Sequence, residues 1–183
     1  MNRTACVMAI LLLAVGPVSA EQSREAEGAS ARTTSQQVLA MVKADGARDT
    51  VLRLVRTGAW ESSVLPGIAT GDRRWVEVAV LLSAETDAGG GEDLDDALSE
   101  ALLKRPYVVL PRIKNVWLKY SAPVCSYGWD SELAGGVESY VLRLRAVLDR
   151  VPPPPELATL REDCIRGIEL TLKNVREHEQ EGQ

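Results

Sequence analysis

Apolar residues recur along this chain at helical spacing, separated by polar positions and by Gly or Pro breaks. The clearest run is Leu94, Ala97, Leu98, Ala101 and Leu102, at i, i+3, i+4, i+7 and i+8, which is one face of an α-helix starting near Glu92. A longer run, Leu157, Leu160, Cys164, Ile168, Leu172 and Val175, holds its face for about five turns. A third, Leu133, Val137, Tyr140, Val141, Leu144, Val147 and Leu148, predicts a long helix opened by Ser131. Between Asp72 and Leu82 the apolar positions Trp75, Val76, Val78, Ala79, Leu81 and Leu82 cover more than one stripe, so that helix should be buried on two sides.

Shorter elements come first. Ser35 is a candidate N-cap for a helix carrying Val38, Leu39 and Val42 and ending near Gly46. A second helix follows from Ala47 to Thr57, with Val51, Leu52, Leu54 and Val55 as its stripe and Gly58 at its C′ position. Trp60 to Ala69 is a further short segment closed by Gly71. Glu85 to Gly91 reads as a flexible glycine-rich link. Pro106 suits the first turn of a helix reaching Lys119, with a kink at Pro111. Tyr107 to Leu110 has strand propensity but no second strand to pair with, so it too is assigned to helix. Ser121 to Asp130 is a loop, and Pro152 to Pro155 is an extended spacer. The expected fold is all-α: an irregular stack of about six to seven helices, with helical hairpins of the HEAT-like kind and one disulfide.

The N-terminus does not belong to that stack. Residues 1–20 have the form of a signal peptide: Arg3 in the n-region, an apolar run from Ala5 to Val15, a Gly16-Pro17 break and Val18-Ser19-Ala20 before the cut. Cleavage is expected between Ala20 and Glu21. The apolar run is too short for an uncleaved anchor, and Cys6 has no apolar stretch before it to mark an acylation site. The chain therefore divides into a signal peptide (1–20), a polar leader (21–34), one helical domain (35–177) and a fraying tail (178–183).

Cleavage changes the charge and the cysteine count. Taking away 20 of 183 residues, with one arginine and no acid, leaves 163 residues and moves the net charge from −5 to −6. A chain of that size buries about 68–70% of its unfolded surface as one domain. An acidic chain with no basic cluster is a poor nucleic-acid ligand. Of three cysteines, Cys125 and Cys164 remain, and in an oxidising compartment they are expected to form one disulfide. The expected location is periplasmic or secreted, with no membrane span.

Candidate chemistry is sparse. Glu85, Asp87, Glu92, Asp93, Asp95 and Asp96 crowd twelve residues, but the calcium-loop template fails at Gly89 and Gly91. The better reading is that these carboxylates favour the positive end of the helix beginning near Glu92. His178 is the only histidine and sits in a polar tail, so neither a nucleophile–base pair nor a four-ligand zinc site is expected. No catalytic residue, metal ligand or cofactor is assigned. The aromatic residues are more informative. There is no Phe, and four of the eight Trp and Tyr residues (Trp117, Tyr120, Tyr127 and Trp129) fall within thirteen positions around Cys125. Such residues gather at protein interfaces, or they roof a core around a disulfide. The first use makes Trp117, Tyr120, Tyr127 and Trp129 candidate partner-binding residues.

Gly71-Asp72 followed by Trp75, then Thr86-Asp87-Ala88, then an Ala-Leu-rich helix running into Pro106, with Val124-Cys125 downstream, resembles small secreted and periplasmic helical proteins of Gram-negative bacteria that carry no assigned function. The resemblance is carried by Gly71 to Leu110 and implies export and a helical fold, with no activity attached. The expected function is a periplasmic binding or inhibitor module, of an immunity type or an accessory to an envelope complex, whose partner is another protein, a basic one being favoured by the acidic net charge. The alternatives are a carboxylate-based hydrolase of an envelope polymer and a calcium-dependent structural module.

Overall fold

A computed structural model describes residues 32–86, 88–117, 125–127 and 135–181. Among them there are eight α-helices and no strand. α1 (Ser35–Asp45) is capped one residue earlier than expected. Thr34 Oγ1 accepts from the Gln37 amide at 3.3 Å, and the Gln37 side chain accepts from the Thr34 amide at 2.8 Å, so a capping box closes the first turn. Gly46 ends α1 and starts α2 (Ala47–Arg56), which turns Thr50 and Leu54 inward.

The segment expected as one short helix is two. Trp60–Val64 is a turn of π-helix, with the Leu65 amide donating to the Trp60 carbonyl, and α3 (Leu65–Ile68) continues from it. The wider turn leaves Trp60, Val64 and Ile68 all buried. The Trp60 indole N–H donates to Asp93 Oδ2 at 3.0 Å, and Lys104 Nζ donates to the Ala69 carbonyl at 2.7 Å, which ties this corner to the helix 30 residues onward.

Asp72 caps α4 (Arg73–Leu82) as expected: Oδ1 accepts from the amides of Arg74 and Trp75 at 2.9 and 3.3 Å. Asp72→Ala removes both bonds and should lower stability by about 1 kcal/mol. A thermal melt checks this, with an expected fall of about 2–4 °C. Val76, Val78, Ala79 and Leu82 are buried, and α4 packs against α1, α2 and α3, so the expectation of two-sided burial holds for those four side chains. Leu81 departs from it and stays exposed.

α5 (Ala88–Lys104) begins four residues before the expected start and takes in Gly89, Gly90 and Gly91. The first amides of a helix need no intrahelical acceptor, so glycine costs little order there, while Leu94, Ala97, Leu98, Ala101 and Leu102 bury the body of the helix. The earlier start corrects the reading of the acidic stretch. No carboxylate lies in the first turn, and Glu92, Asp93, Asp95 and Asp96 stand further along the helix than a capping role needs; Asp87, next before Ala88, lies outside the described residues. Asp93 serves instead as the acceptor for Trp60.

α6 (Pro106–Trp117) runs on through Pro111, and burial of Val109, Leu110 and Ile113 confirms helix over strand for the Tyr107–Leu110 run. α7 (Val137–Arg150) starts six residues later than Ser131. Gly135 and Gly136 have φ of +85° and +83°, and two consecutive residues in that region cannot continue a right-handed helix. Leu133 lies outside the described residues. The expected extended spacer ends one residue early: Pro155 opens a 3₁₀ turn (Pro155–Leu157) that leads into α8 (Ala158–Glu181), which continues beyond Glu177, with Lys173 and Glu177 paired at 3.6 Å.

The packing order is that of stacked hairpins. Consecutive helices pair as α1/α2, α3/α4, α5/α6 and α7/α8. Across hairpins, α3, α5 and α7 follow one another in one row, and α2, α4, α6 and α8 in another. The hairpin reading of the helical spacing is thereby met, as an irregular stack. Among the described residues no helix is long and apolar enough to cross a membrane.

Candidate functional site

The aromatic-rich connection between α6 and α7 is anchored at its middle. Cys125 and Cys164 form the expected disulfide, with the Cα atoms 4.9 Å apart and both side chains fully buried. The sequence arithmetic that left these two cysteines is sufficient to find the bridge. Cys125 takes φ of +66°, a left-handed conformation that only its surroundings can hold in a residue with a Cβ.

Two residues on, Tyr127 makes a second anchor. Its amide donates to Thr171 Oγ1 at 2.8 Å. Thr171 lies seven residues after Cys164, two turns along the same face of α8, so both anchors grip one side of one helix. The Tyr127 ring stands edge-on to Tyr140 of α7, with centroids 5.2 Å apart and planes at 76°. The two phenol oxygens are 3.2 Å apart, Tyr140 Oη donates to the Ser99 carbonyl of α5 at 3.0 Å, and Ser99 Oγ lies 3.5 Å from Tyr127 Oη.

Proton counting gives this network a direction. Tyr140 has one hydroxyl hydrogen, committed to the Ser99 carbonyl, so Tyr127 donates to Tyr140 and Ser99 Oγ donates to Tyr127. The bonds close a loop from the Ser99 side chain through both phenols to the Ser99 backbone. Each bond polarises the next in a poorly solvated setting. Burial pushes the Tyr127 phenol well above its usual 10, with the neighbouring Tyr140 adding to the rise, and burial pushes Tyr140 up to about 12. Both phenols stay protonated at neutral pH, which suits a clamp and not a base.

The raised values set an alkaline limit on stability. The folded state keeps protons that the unfolded state releases above pH 10, so this contribution is complete below pH 10 and falls as pH rises from 10 towards 12. Each phenol removes up to about 1.4 kcal/mol per pH unit in that window. Tyr140→Phe should cost about 1–2 kcal/mol at pH 7, because it strips the Ser99 carbonyl and Tyr127 of a partner. It should also flatten the decline of the melting temperature above pH 10. Melts at pH 8 and at pH 11 for wild type and variant check both.

Of the four candidate partner-binding residues, Tyr127 is turned inward, and its hydroxyl is held by the core. Trp117 is the last residue of α6. Tyr120 and Trp129 lie outside the described residues, as do Ala20 and Glu21 of the expected cleavage site. Sequence reasoning missed Ser99 and Thr171 altogether and took Tyr140 for core alone. Thr171 carried a signal: a polar residue in line with Cys164 and Ile168 on an apolar face must find a partner when buried. Ser99 and Tyr127, 28 residues apart, left no local trace.

Among the described residues no group of three or more His, Cys, Asp or Glu side chains is placed to hold a metal ion. No known protein family, curated protein or solved structure matches the chain.

Proposed function

We propose that the chain is an exported helical binding or inhibitor module, acting as an immunity-type or envelope accessory protein, with its contact surface on the 117–129 connection. The observation that carries the reading is the double anchoring of that connection at Cys125 and Tyr127. Residues fixed before a partner arrives, as Cys125 and Tyr127 are, lose less freedom on binding. Trp and Tyr are the residues that most often dominate interface energies, and Trp117, Tyr120 and Trp129 flank the anchor. The excess of acids over bases steers a basic partner towards the protein. The leader-like N-terminus, the bridge and the likeness to small periplasmic helical proteins all fit an extracytoplasmic site of action.

The test is retention of a partner from periplasmic extract by wild type and by a Trp117→Ala/Trp129→Ala double variant. The expected result is a protein retained by wild type and lost by the variant. Equal recovery of every retained protein would remove the contact surface from 117–129. Clearing of a peptidoglycan gel by the purified protein would replace the binding reading with the hydrolase one.

A further inference from the structure

α2 carries an apolar pair that the fold does not use. The sequence offers Val51, Leu52, Leu54 and Val55 as one stripe, yet Leu54 is 1% exposed while Leu52 and Val55 are 52% and 57% exposed. At 100° per residue, Leu52 and Val55 lie roughly 60° apart on the outward face, one turn from each other. Both turns that bracket the pair bring an arginine to the same side: Arg48 four residues before Leu52, and Arg56 four residues after it. Arg53 is held by Asp45 at 2.7 Å, whereas among the described residues neither Arg48 nor Arg56 has an ion-pair partner. Asp49 is the only acid on α2, so this helix is locally basic in a chain of net charge −5.

An apolar centre with an arginine rim is the composition of a small protein-binding patch. Charge decides what covers it. A second copy placed face to face, in antiparallel register, would set Arg48 against Arg56 of its mate and repel. Parallel register would set Arg48 against Arg48. An anionic lipid surface would meet only two apolar side chains here, too little apolar area to hold a helix in a bilayer interface. An acidic amphipathic helix complements the apolar pair and both arginines: apolar side chains meet Leu52 and Val55, and carboxylates one turn to either side meet the guanidinium groups, with Asp49, on the same side of the helix as Arg56, the one group on this face that opposes it. We propose that the outward face of α2 is a docking surface for an acidic amphipathic helix of a partner protein, separate from the 117–129 connection.

The probe is a synthetic helical peptide with two leucines three residues apart, each flanked one turn away by glutamate. Its controls are the same peptide with lysine for each glutamate, and phosphatidylglycerol vesicles. Binding is read by fluorescence anisotropy for wild type, Leu52→Ser/Val55→Ser and Arg48→Glu/Arg56→Glu, with circular dichroism melts showing that these exposed substitutions leave the fold intact. Wild type should bind the acidic peptide and not the basic one. Leu52→Ser/Val55→Ser should weaken binding at least about tenfold. Arg48→Glu/Arg56→Glu should exchange the preference for the basic peptide. The proposal is overturned by no binding of the acidic peptide, by equal binding of both peptides, or by affinities that neither variant changes. It is also overturned by vesicle binding that needs Leu52 and Val55, and by a dimer that Leu52→Ser/Val55→Ser dissolves. Trp117 and Trp129 are untouched throughout, so failure here leaves the 117–129 reading where it stands.

Discussion

Cys125→Ser, Cys164→Ser and the double variant should melt at the same temperature, on the order of 10 °C below the oxidised wild type. The bridge spans 39 residues, and the chain-entropy account of such a loop gives up to about 4 kcal/mol. Equality of the three variants follows because either single substitution opens the whole loop. The left-handed backbone of Cys125 is an unfavourable native conformation, so the loop figure is an upper bound on what opening the bridge costs. Reduction of wild type in unfolding conditions should give the same lowered melt on refolding under reducing conditions. A single variant melting well above the double would show that the remaining thiol makes an independent contribution.

Gly67→Ala should destabilise the fold by up to about 3 kcal/mol. A Cβ on Gly67 would stand 2.3 Å from Trp75 Cε2 and 2.6 and 2.7 Å from two further indole atoms. No real contact is that short, so the indole must leave its seat on α3. Trp75 packs against the core, and α3 and α4 meet at this point, so the displacement loosens the hairpin on which α5 and α6 stack. A lowered melting temperature together with a shift in tryptophan emission checks it. An unchanged melt would mean that α3 and α4 separate at little cost.

Much of the helical order is visible in the sequence because it is local. The Leu94–Leu102 face, the Asp72 cap and the Gly46 corner each depend on residues within two turns of one another, and the structure places them as spacing and capping chemistry require. The departures share a different cause. α5 absorbs Gly89–Gly91 because its far end is buried, an influence that no propensity for glycine contains. The π turn at Trp60–Val64 brings an indole to Asp93, 33 residues away. The start of α7 is set by a glycine pair that periodicity ignores. In the candidate site, the Cys125–Cys164 pairing follows from counting, and the direction of Tyr127 does not, since Tyr140, Ser99 and Thr171 come from three different helices.

Export with removal of residues 1–20, as proposed above, would leave Cys125 and Cys164 as the paired cysteines that pin the aromatic connection. Intact-mass measurement of the protein recovered from the periplasm, with thiol alkylation before and after reduction, tests it most directly. The expected product is a chain beginning at Glu21 that takes up no alkyl group when oxidised and two after reduction. A chain that keeps residues 1–20, or one that takes up two alkyl groups without reduction, would contradict it.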